Sequence, residues 1–498
     1  MNFKNNNRLE IIDKKPISIF NDRRSSESFA QDIANIKNDH GDSKPFYVMN
    51  LGRVQDLINF WKTNLPKIQP YYAVHCNYDT VLMNVLASSP SISFFVNSKE
   101  MLDKTFEFTD DSGRILYGNT MITGNNLNSA VKRNVNTINF YSLRDLKKIA
   151  LQCPEVNLVL EINVQNDEPS QDPSAHFGAL IEDVPSILAA VYKLNLNLIG
   201  FSFTVGQDRQ HPMAYRDAFL IMHNLFEMAE DFGLGKMSFI NIGSGFSASN
   251  LLEIRTFQNI AEEINNSIDY YFPNDIYPNL QFSAKPGRFF AASAFSLLTN
   301  IISKDIVNVN AIVSTNYSTN PSGFIYKVNE GCYGSFSCKM NNTIIPKCSP
   351  LFGDTDSGDN KQLFYGSIIG PSDCTMDIVQ EVCHFRKMNV GEWLIWENMG
   401  AYSLSNYDEP IEVESSESTS PLVFYYASNE DWDVMTRGIN KIENPNSTES
   451  LYYPLTSLDS IISSVEDLHS ITSGNIYEDE DTMEELQELF HVFESVYS

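Results

Sequence analysis

Gln69-Pro-Tyr-Tyr-Ala-Val-His-Cys-Asn77 is the stretch on which the reading of the fold turns. Its apolar, β-prone run from Tyr71 to Val74 ends at a polar step, and Thr80 to Ala87 beyond it has helical spacing. That pattern predicts a strand with His75 at its carboxyl end, followed by a helix. In a parallel α/β barrel the carboxyl ends of the strands carry the chemistry.

Working outward, strand and helix alternate. Phe46–Met49 reads as the first strand of a long alternating region. Ile92–Phe95, Ile115–Tyr117, Thr137–Phe140, Asn157–Ile162, Leu198–Phe203, Phe239–Ile242 and Gln281–Ala284 read as its later strands. Helical spacing lies between them, as in Asp183–Leu194 and Ala214–Phe232. A repeat of about 30 residues implies parallel βαβ units, and roughly 240 residues is barrel size. The expected fold class is α/β, a (β/α)8 TIM-like barrel over 47–290. After Pro286, Phe295–Val307, Phe324–Val328, Leu363–Ile368, Trp393–Trp396 and Leu422–Tyr426 are β-rich with Gly and Pro punctuation. They predict a mostly antiparallel β-domain over 291–435. The segment 17–46, with an amphipathic Phe29–Ile36, is expected to pack with that domain, and residues 1–16, polar and Asn-rich, to be disordered.

Composition narrows the function. Of 498 residues, 42% are hydrophobic and 12% aromatic, enough for two or three globular domains. A net charge of −28 argues against nucleic acid and anionic membrane as partners, both of which need clustered Lys and Arg. Cys76, Cys153, Cys332, Cys338, Cys348, Cys374 and Cys383 are odd in number and lack CxxC spacing, which suits reduced thiols rather than a disulfide framework or a zinc site. The amino terminus lacks an apolar signal core, and no run approaches ~18 apolar residues, so a cytoplasmic protein is expected. The stretch 442–498 has no Lys or Arg and thirteen Asp or Glu. The expectation over 436–498 is an acidic, disordered tail. Within it Met483, Leu486, Phe490 and Phe493 share a helical face that could dock or signal turnover.

Six blocks in order then carry a resemblance: Tyr71-Tyr-Ala-Val-His-Cys-Asn77, Asn241-Ile-Gly-Ser-Gly-Phe246, Pro286-Gly-Arg288, Asn329-Glu-Gly-Cys-Tyr-Gly-Ser-Phe336, Gly370-Pro-Ser372 and Glu397-Asn-Met-Gly-Ala-Tyr402. Over about residues 17–435 the chain resembles the eukaryotic ornithine decarboxylase and antizyme inhibitor family, a pyridoxal-phosphate-binding barrel followed by a β-domain. The family's lysine, which forms the Schiff base with the cofactor aldehyde, falls at His75. An imidazole has no primary amine. The resemblance also puts an aspartate at Phe95 (Phe94 if a one-residue gap falls later), an arginine at Glu161, the ring-stacking histidine at Thr204 and a phosphate-contacting serine at Gln207. The glutamate that pairs with the pyridine nitrogen falls at Lys285. At ~4 Å and an effective dielectric of ~20, an attraction of about 4 kcal/mol would become a repulsion. The substrate-binding Tyr-Asp pair falls at Asn341 and Asn342, and the catalytic Cys-Asp pair reads Asp373-Cys374, in swapped order. No catalytic residue is therefore expected, and no cofactor.

Gly243, Gly245, Arg288 and Tyr402 fall where the family contacts phosphate. They are either a remnant anion site or residues kept for packing and turn geometry, and the second is preferred. His75 as a general base lacks a matched nucleophile or acid; a packed histidine is the preferred reading. The resemblance implies a partner as well. The family's antizyme-binding element aligns with Asn119–Ala150, where Lys132, Arg133, Arg144, Lys147 and Lys148 stand against Asp145 alone, a net +4 in 32 residues. Such a face suits an acidic partner. The preferred expectation is a non-catalytic regulator of polyamine synthesis that binds antizyme. The alternatives are a non-catalytic subunit paired with an active ornithine decarboxylase, and a retained or altered decarboxylase activity. No metal site is expected.

Overall fold

The computed structural model describes residues 8–119, 122–164, 177–206, 210–313, 322–339, 345–353, 362–372, 374–404 and 420–439. The acidic tail from 440 onward lies outside them. In chain order the elements are β1 (Arg8–Ile12), β2 (Lys15–Phe20), α1 (Ser26–Asp39), β3 (Phe46–Asn50), α2 (Leu51–Asn64), β4 (Ile68–Ala73), α3 (Thr80–Ser88), β5 (Ser93–Val96), α4 (Lys99–Thr105), β6 (Ile115–Gly118), α5 (Gly124–Lys132), β7 (Thr137–Phe140), α6 (Leu143–Gln152), β8 (Asn157–Ile162), α7 (Val184–Lys193), β9 (Asn197–Phe203), α8 (Pro212–Asp231), β10 (Phe239–Asn241), α9 (Leu251–Tyr271), β11 (Gln281–Ala284) and α10 (Arg288–Ala291). Beyond these follow β12 (Phe295–Asn308), β13 (Ser322–Val328), β14 (Cys348–Pro350), β15 (Leu363–Ile369), β16 (Ile378–Arg386), β17 (Trp393–Trp396), β18 (Leu422–Ser428) and α11 (Asn429–Ile439). Two compact units result, one of Val54–Ser293 and one of Met1–Arg53 with Ala294–Ser498. Among the described residues no helix is long and apolar enough to cross a membrane.

The first unit is the (β/α)8 barrel. Strands β4 to β11 pair in sequence and in parallel, and β11 closes on β4 through Phe282–Ile68, Ser283–Gln69 and Ala284–Pro70. Side chains alternate along each strand, so residues two apart share a face. Ala73, Phe95 and Leu116 pack together as one cluster, whereas Phe94, one position before Phe95, takes the Arg114 guanidinium over its ring on the other face. Side-chain caps start the helices: Asp79 accepts from Leu82 N at α3, Ser98 from Met101 N at α4 and Asn250 from Glu253 N at α9. Trp61 meets Phe246, Phe257, Phe289 and Phe290 at 5.0–5.9 Å, an aromatic cluster that binds α2 and α9 to the turn after β11.

The second unit is a ten-stranded mixed sheet in which antiparallel pairings predominate; β18 pairs in parallel with β2 and β3, and β13 with β15. Helix α1 lays Phe29 against Tyr426 at 4.6 Å, in a core with Phe20, Phe46, Leu298, Trp393 and Phe424. Two expectations are corrected here. Phe46–Met49 is not a barrel strand: β3 pairs with β18 and β12, and the barrel opens at β4. The run is buried on both faces and reads like a barrel strand; its partners are more than 240 residues away. Residues 8–16 are not disordered either. β1 and β2 form a hairpin around Asp13 and Lys14, both at positive φ (48° and 62°), the geometry of a two-residue type I′ turn. The chain also stays helical through α11, past residue 435.

Candidate functional site

His75 lies in the 3-10 turn Val74–Cys76 that follows β4. It is half-buried, with Nδ1 shielded from water, and its ring meets Phe95 edge-on at 6.4 Å. Burial, with the nearby Lys285 charge second, holds its pKa down to about 4, so the imidazole is neutral at pH 7. Unfolded, the residue takes a proton near pH 6.5; folded, only near pH 4. Its neutral burial therefore leaves stability intact above pH 6.5 and lowers it, by up to about 3 kcal/mol, as pH falls to 4. His75→Phe should flatten the stability slope between pH 6.5 and 4.5 in urea titrations; an unchanged slope would contradict the neutral, enclosed histidine.

The interior of the barrel holds a polar network at the carboxyl ends of β7 to β11. Lys285 Nζ donates to Glu161 Oε2 at 2.8 Å and to Ser202 Oγ at 3.2 Å. Asn139 Nδ2 donates to the same Oε2 at 2.8 Å, and Thr204 Oγ1 to Oε1 at 3.1 Å, so both carboxylate oxygens are satisfied. Asn241 Nδ2 continues the network to Ser283 Oγ at 2.8 Å. Glu161 is 2% exposed and Lys285 6%. Burial alone would raise the Glu161 carboxyl, but the charge and hydrogen bond of Lys285, with Ser202 and Asn139, outweigh it and hold the group below the ordinary carboxylate value. Lys285 Nζ also stands 5.3 Å over the Phe95 ring.

This changes the reading of position 285. Lys285 is not an unopposed cation but half of an ion pair that crosses from β8 to β11, with β9 and β10 between. The resemblance puts an arginine at 161 and a glutamate at 285, and this chain carries the reverse. Two changes that look like separate losses in the sequence are one exchange. Asn139, Ser202, Asn241 and Ser283 were missed as its supports. Their signal was a polar residue set inside an apolar β run, the kind of buried polar group that is informative.

The glycine turn has a backbone reason. Gly243 holds φ +74°, and a Cβ there would strike the Phe203 carbonyl; Gly245 holds φ +103°. Lys285 N donates to Gly243 O at 2.6 Å, fixing the turn against the end of β11. Arg288 opens the short α10, half-buried, after Gly287, whose missing side chain admits Cys76. In the other unit, Tyr402 is held at φ +59°, rare for a bulky residue. There too Tyr333 OH donates to the exposed Cys374 Sγ at 3.0 Å, which lowers the thiol's pKa. Buried Asp377, not singled out in the sequence, accepts from Cys332 N at 2.7 Å and Ser372 Oγ at 2.7 Å and ties that loop down. Gln207, Asn341, Asn342 and Asp373 lie outside the described residues.

The five basic positions divide. Arg133 bonds Asp103 at 2.7 Å and stacks over Phe106 at 4.8 Å, and Lys148 Nζ donates to Ile122 O at 2.6 Å. Lys132, Arg144 and Lys147 are exposed and have no ion-pair partner among the described residues. Asp145 is buried at the start of α6, where Ser142 donates to it at 2.9 Å.

Comparison with known proteins adds what geometry alone leaves open. Residues 51–292 match the family model described as pyridoxal-dependent decarboxylase, pyridoxal binding domain. Ornithine decarboxylase of Caenorhabditis elegans is 33% identical over 426 residues, covering 85% of this chain and 97% of that one. Antizyme inhibitor 2 of Xenopus laevis is 32% identical over 376 residues, 75% of this chain and 80% of that one. The crystal structure of arginine decarboxylase from Paramecium bursaria Chlorella virus, bound to agmatine, superposes with a TM-score of 0.69 at 26% identity, covering 80% of this chain and all of that one.

The expectation that no cofactor goes with this chain is thereby corrected. The matched domain is a pyridoxal-binding one and the structural neighbours are decarboxylases, so pyridoxal phosphate is the cofactor its family implies. The residues fit that group only in part. Gly243 and Gly245 keep the positive-φ glycine turn of a phosphate cradle, but a Cβ at either would meet Phe203 O or Gln210 Nε2, so packing within the chain already accounts for both glycines. At the aldehyde end His75 offers no primary amine, and the Lys285 amine is engaged by Glu161. Covalent attachment at position 75 does not fit this site. On the strength of the matched domain, the closed barrel and a relative one-third identical across most of its length, the chain belongs to the ornithine and arginine family of pyridoxal-dependent decarboxylases.

Proposed function

We propose that this chain is a catalytically inactive homologue of ornithine decarboxylase that regulates polyamine synthesis by binding antizyme. One observation carries the loss of reaction: at the carboxyl end of β4, where the family's chemistry begins with a lysine, stands a neutral, enclosed imidazole. The inverted Glu161–Lys285 pair supports the same reading, because an ammonium occupies the position from which a carboxylate would keep the cofactor's pyridine nitrogen protonated and so able to accept electrons. The similarity to antizyme inhibitor 2 and the exposed cations of α5 and α6 support the partner. All seven cysteines are free thiols, in keeping with work in the reducing cytoplasm.

The test is capture. Purified full-length chain mixed with purified antizyme should form a complex that survives sizing and should release active ornithine decarboxylase from antizyme inhibition. Failure to form that complex at micromolar concentrations would remove the proposal.

A further inference from the structure

Ala73, Phe95 and Leu116 stand side by side in the register of β4, β5 and β6 and form one layer of the barrel interior. The Phe95 ring does not stay in that layer. It meets His75, two residues past Ala73, edge-on at 6.4 Å. It also passes Gly118, two residues past Leu116, where a Cβ would stand 3.0 Å from its Cε2. From β11 the Lys285 ammonium lies over the ring, 5.3 Å from its centre. The ring therefore leans toward the carboxyl ends of the strands, the end at which barrel enzymes hold their ligands, and is only 7% exposed there. Lys285 Nζ divides its contacts between two oxygens, of Glu161 and Ser202, and an aromatic ring that the chain itself supplies. A buried phenylalanine is ordinary core. This one leaves its own layer for the open end, and the glycine at 118 gives it room.

We propose that the Phe95 ring is a built-in stand-in for a planar ring ligand: it fills the barrel mouth beside Lys285, and residue 95 decides whether the site admits the pyridine ring of a coenzyme. A phenyl and a pyridine ring are alike in size and cannot share one place. The tethered ring competes at an effective concentration of roughly millimolar or more and loses no translational freedom, so a free ligand at micromolar concentration does not displace it. The inference rests on the reading of a barrel that has lost its reaction, and adds a side chain that holds the site closed. Truncating Phe95 opens a hollow between Ala73, Leu116, His75 and Lys285, apolar with a few polar groups, the make-up of a small-molecule site.

The experiment titrates pyridoxine 5′-phosphate into the full chain and its variants by calorimetry. This probe has the ring and the phosphate but no aldehyde, so it forms no imine with surface lysines. The unaltered chain should show no saturable binding up to ~1 mM, and Phe95→Ala should saturate with a Kd below ~100 µM, a gain of at least ~10-fold. Phe95→Leu, which keeps the apolar contacts with Ala73 and Leu116 but has no ring, should fall between them and serves if the alanine variant does not fold. Phe94→Ala removes a ring of the same size from the other face of β5 and should bind like the unaltered chain. In a His75→Lys background, Phe95→Ala should speed borohydride-fixed capture of pyridoxal phosphate ~10-fold. The inference is overturned if the unaltered chain binds the probe within ~2-fold of Phe95→Ala, if Phe94→Ala gains as much, or if a cooperatively melting Phe95 variant gains nothing. None of these results bears on the lost reaction, which falls only if the unaltered chain releases carbon dioxide from an amino acid.

Discussion

Replacing Lys285 with methionine is expected to destabilise the barrel by about 3–5 kcal/mol, the largest stability effect of any single change in this site. The substitution leaves the Glu161 carboxylate 2% exposed, with Asn139 and Thr204 as its remaining donors. A buried anion without its cation must either stay charged in a poor solvent or take up a proton, and both options cost stability. Glu161→Gln should be destabilising for the mirror reason, since it strands the ammonium. The discriminating variant is the double replacement Glu161→Met with Lys285→Met, because two apolar side chains of similar volume remove both desolvation penalties at once. Its loss should be well below the sum of the singles. Thermal melting reads this directly: at about 2–4 °C per kcal/mol for a domain of this size, the single variant should melt roughly 10 °C low. A single variant that melts with the parent would show that the pair contributes nothing.

The second large effect concerns position 75. His75→Lys should gain borohydride-fixed capture of pyridoxal phosphate without gaining decarboxylation. The new side chain supplies the primary amine that the imidazole lacks, in an enclosed site where burial and the Lys285 charge already disfavour protonation of the residue at 75. Capture is therefore within reach of one substitution. Turnover is not, because the inverted pair still presents an ammonium at 285. Carbon dioxide release from ornithine should stay at background, at least ~10⁴-fold below an active ornithine decarboxylase assayed beside it. Mass spectrometry of the reduced protein gives the first half of the result and the release assay the second. Restored turnover from this one change would show that the exchange at 161 and 285 is tolerated by the chemistry.

Much of the barrel is legible in the residues. Short apolar runs at a repeat of about 30, each followed by helical spacing, identify β4 to β11, because parallel strands buried on both faces must be apolar throughout. The same rule misleads at Phe46–Met49, since burial on both faces is all the composition encodes and β3 meets it inside the other sheet. The hairpin of β1 and β2 was hidden by its turn: Asp13-Lys14 adopts type I′ geometry without the Asn-Gly or Asp-Gly pair that usually marks it. At the site, motif comparison points to Glu161 and Lys285 one at a time. That they touch could not be read from the chain, because 124 residues and two intervening strands separate them. Motif anchoring leaves Phe95 and Phe94 both open, and the cluster of Phe95 with Ala73 and Leu116 decides for Phe95; the tie of Lys148 to a backbone carbonyl likewise needs the packing of the chain.

The central claim is that this barrel has kept the architecture of a decarboxylase and lost its reaction. The most direct measurement is carbon dioxide release from ornithine, lysine and arginine by the purified full-length chain with pyridoxal phosphate supplied in excess. The account predicts release indistinguishable from that of the buffer for all three. Sustained release from any of them, proportional to protein concentration, would contradict it.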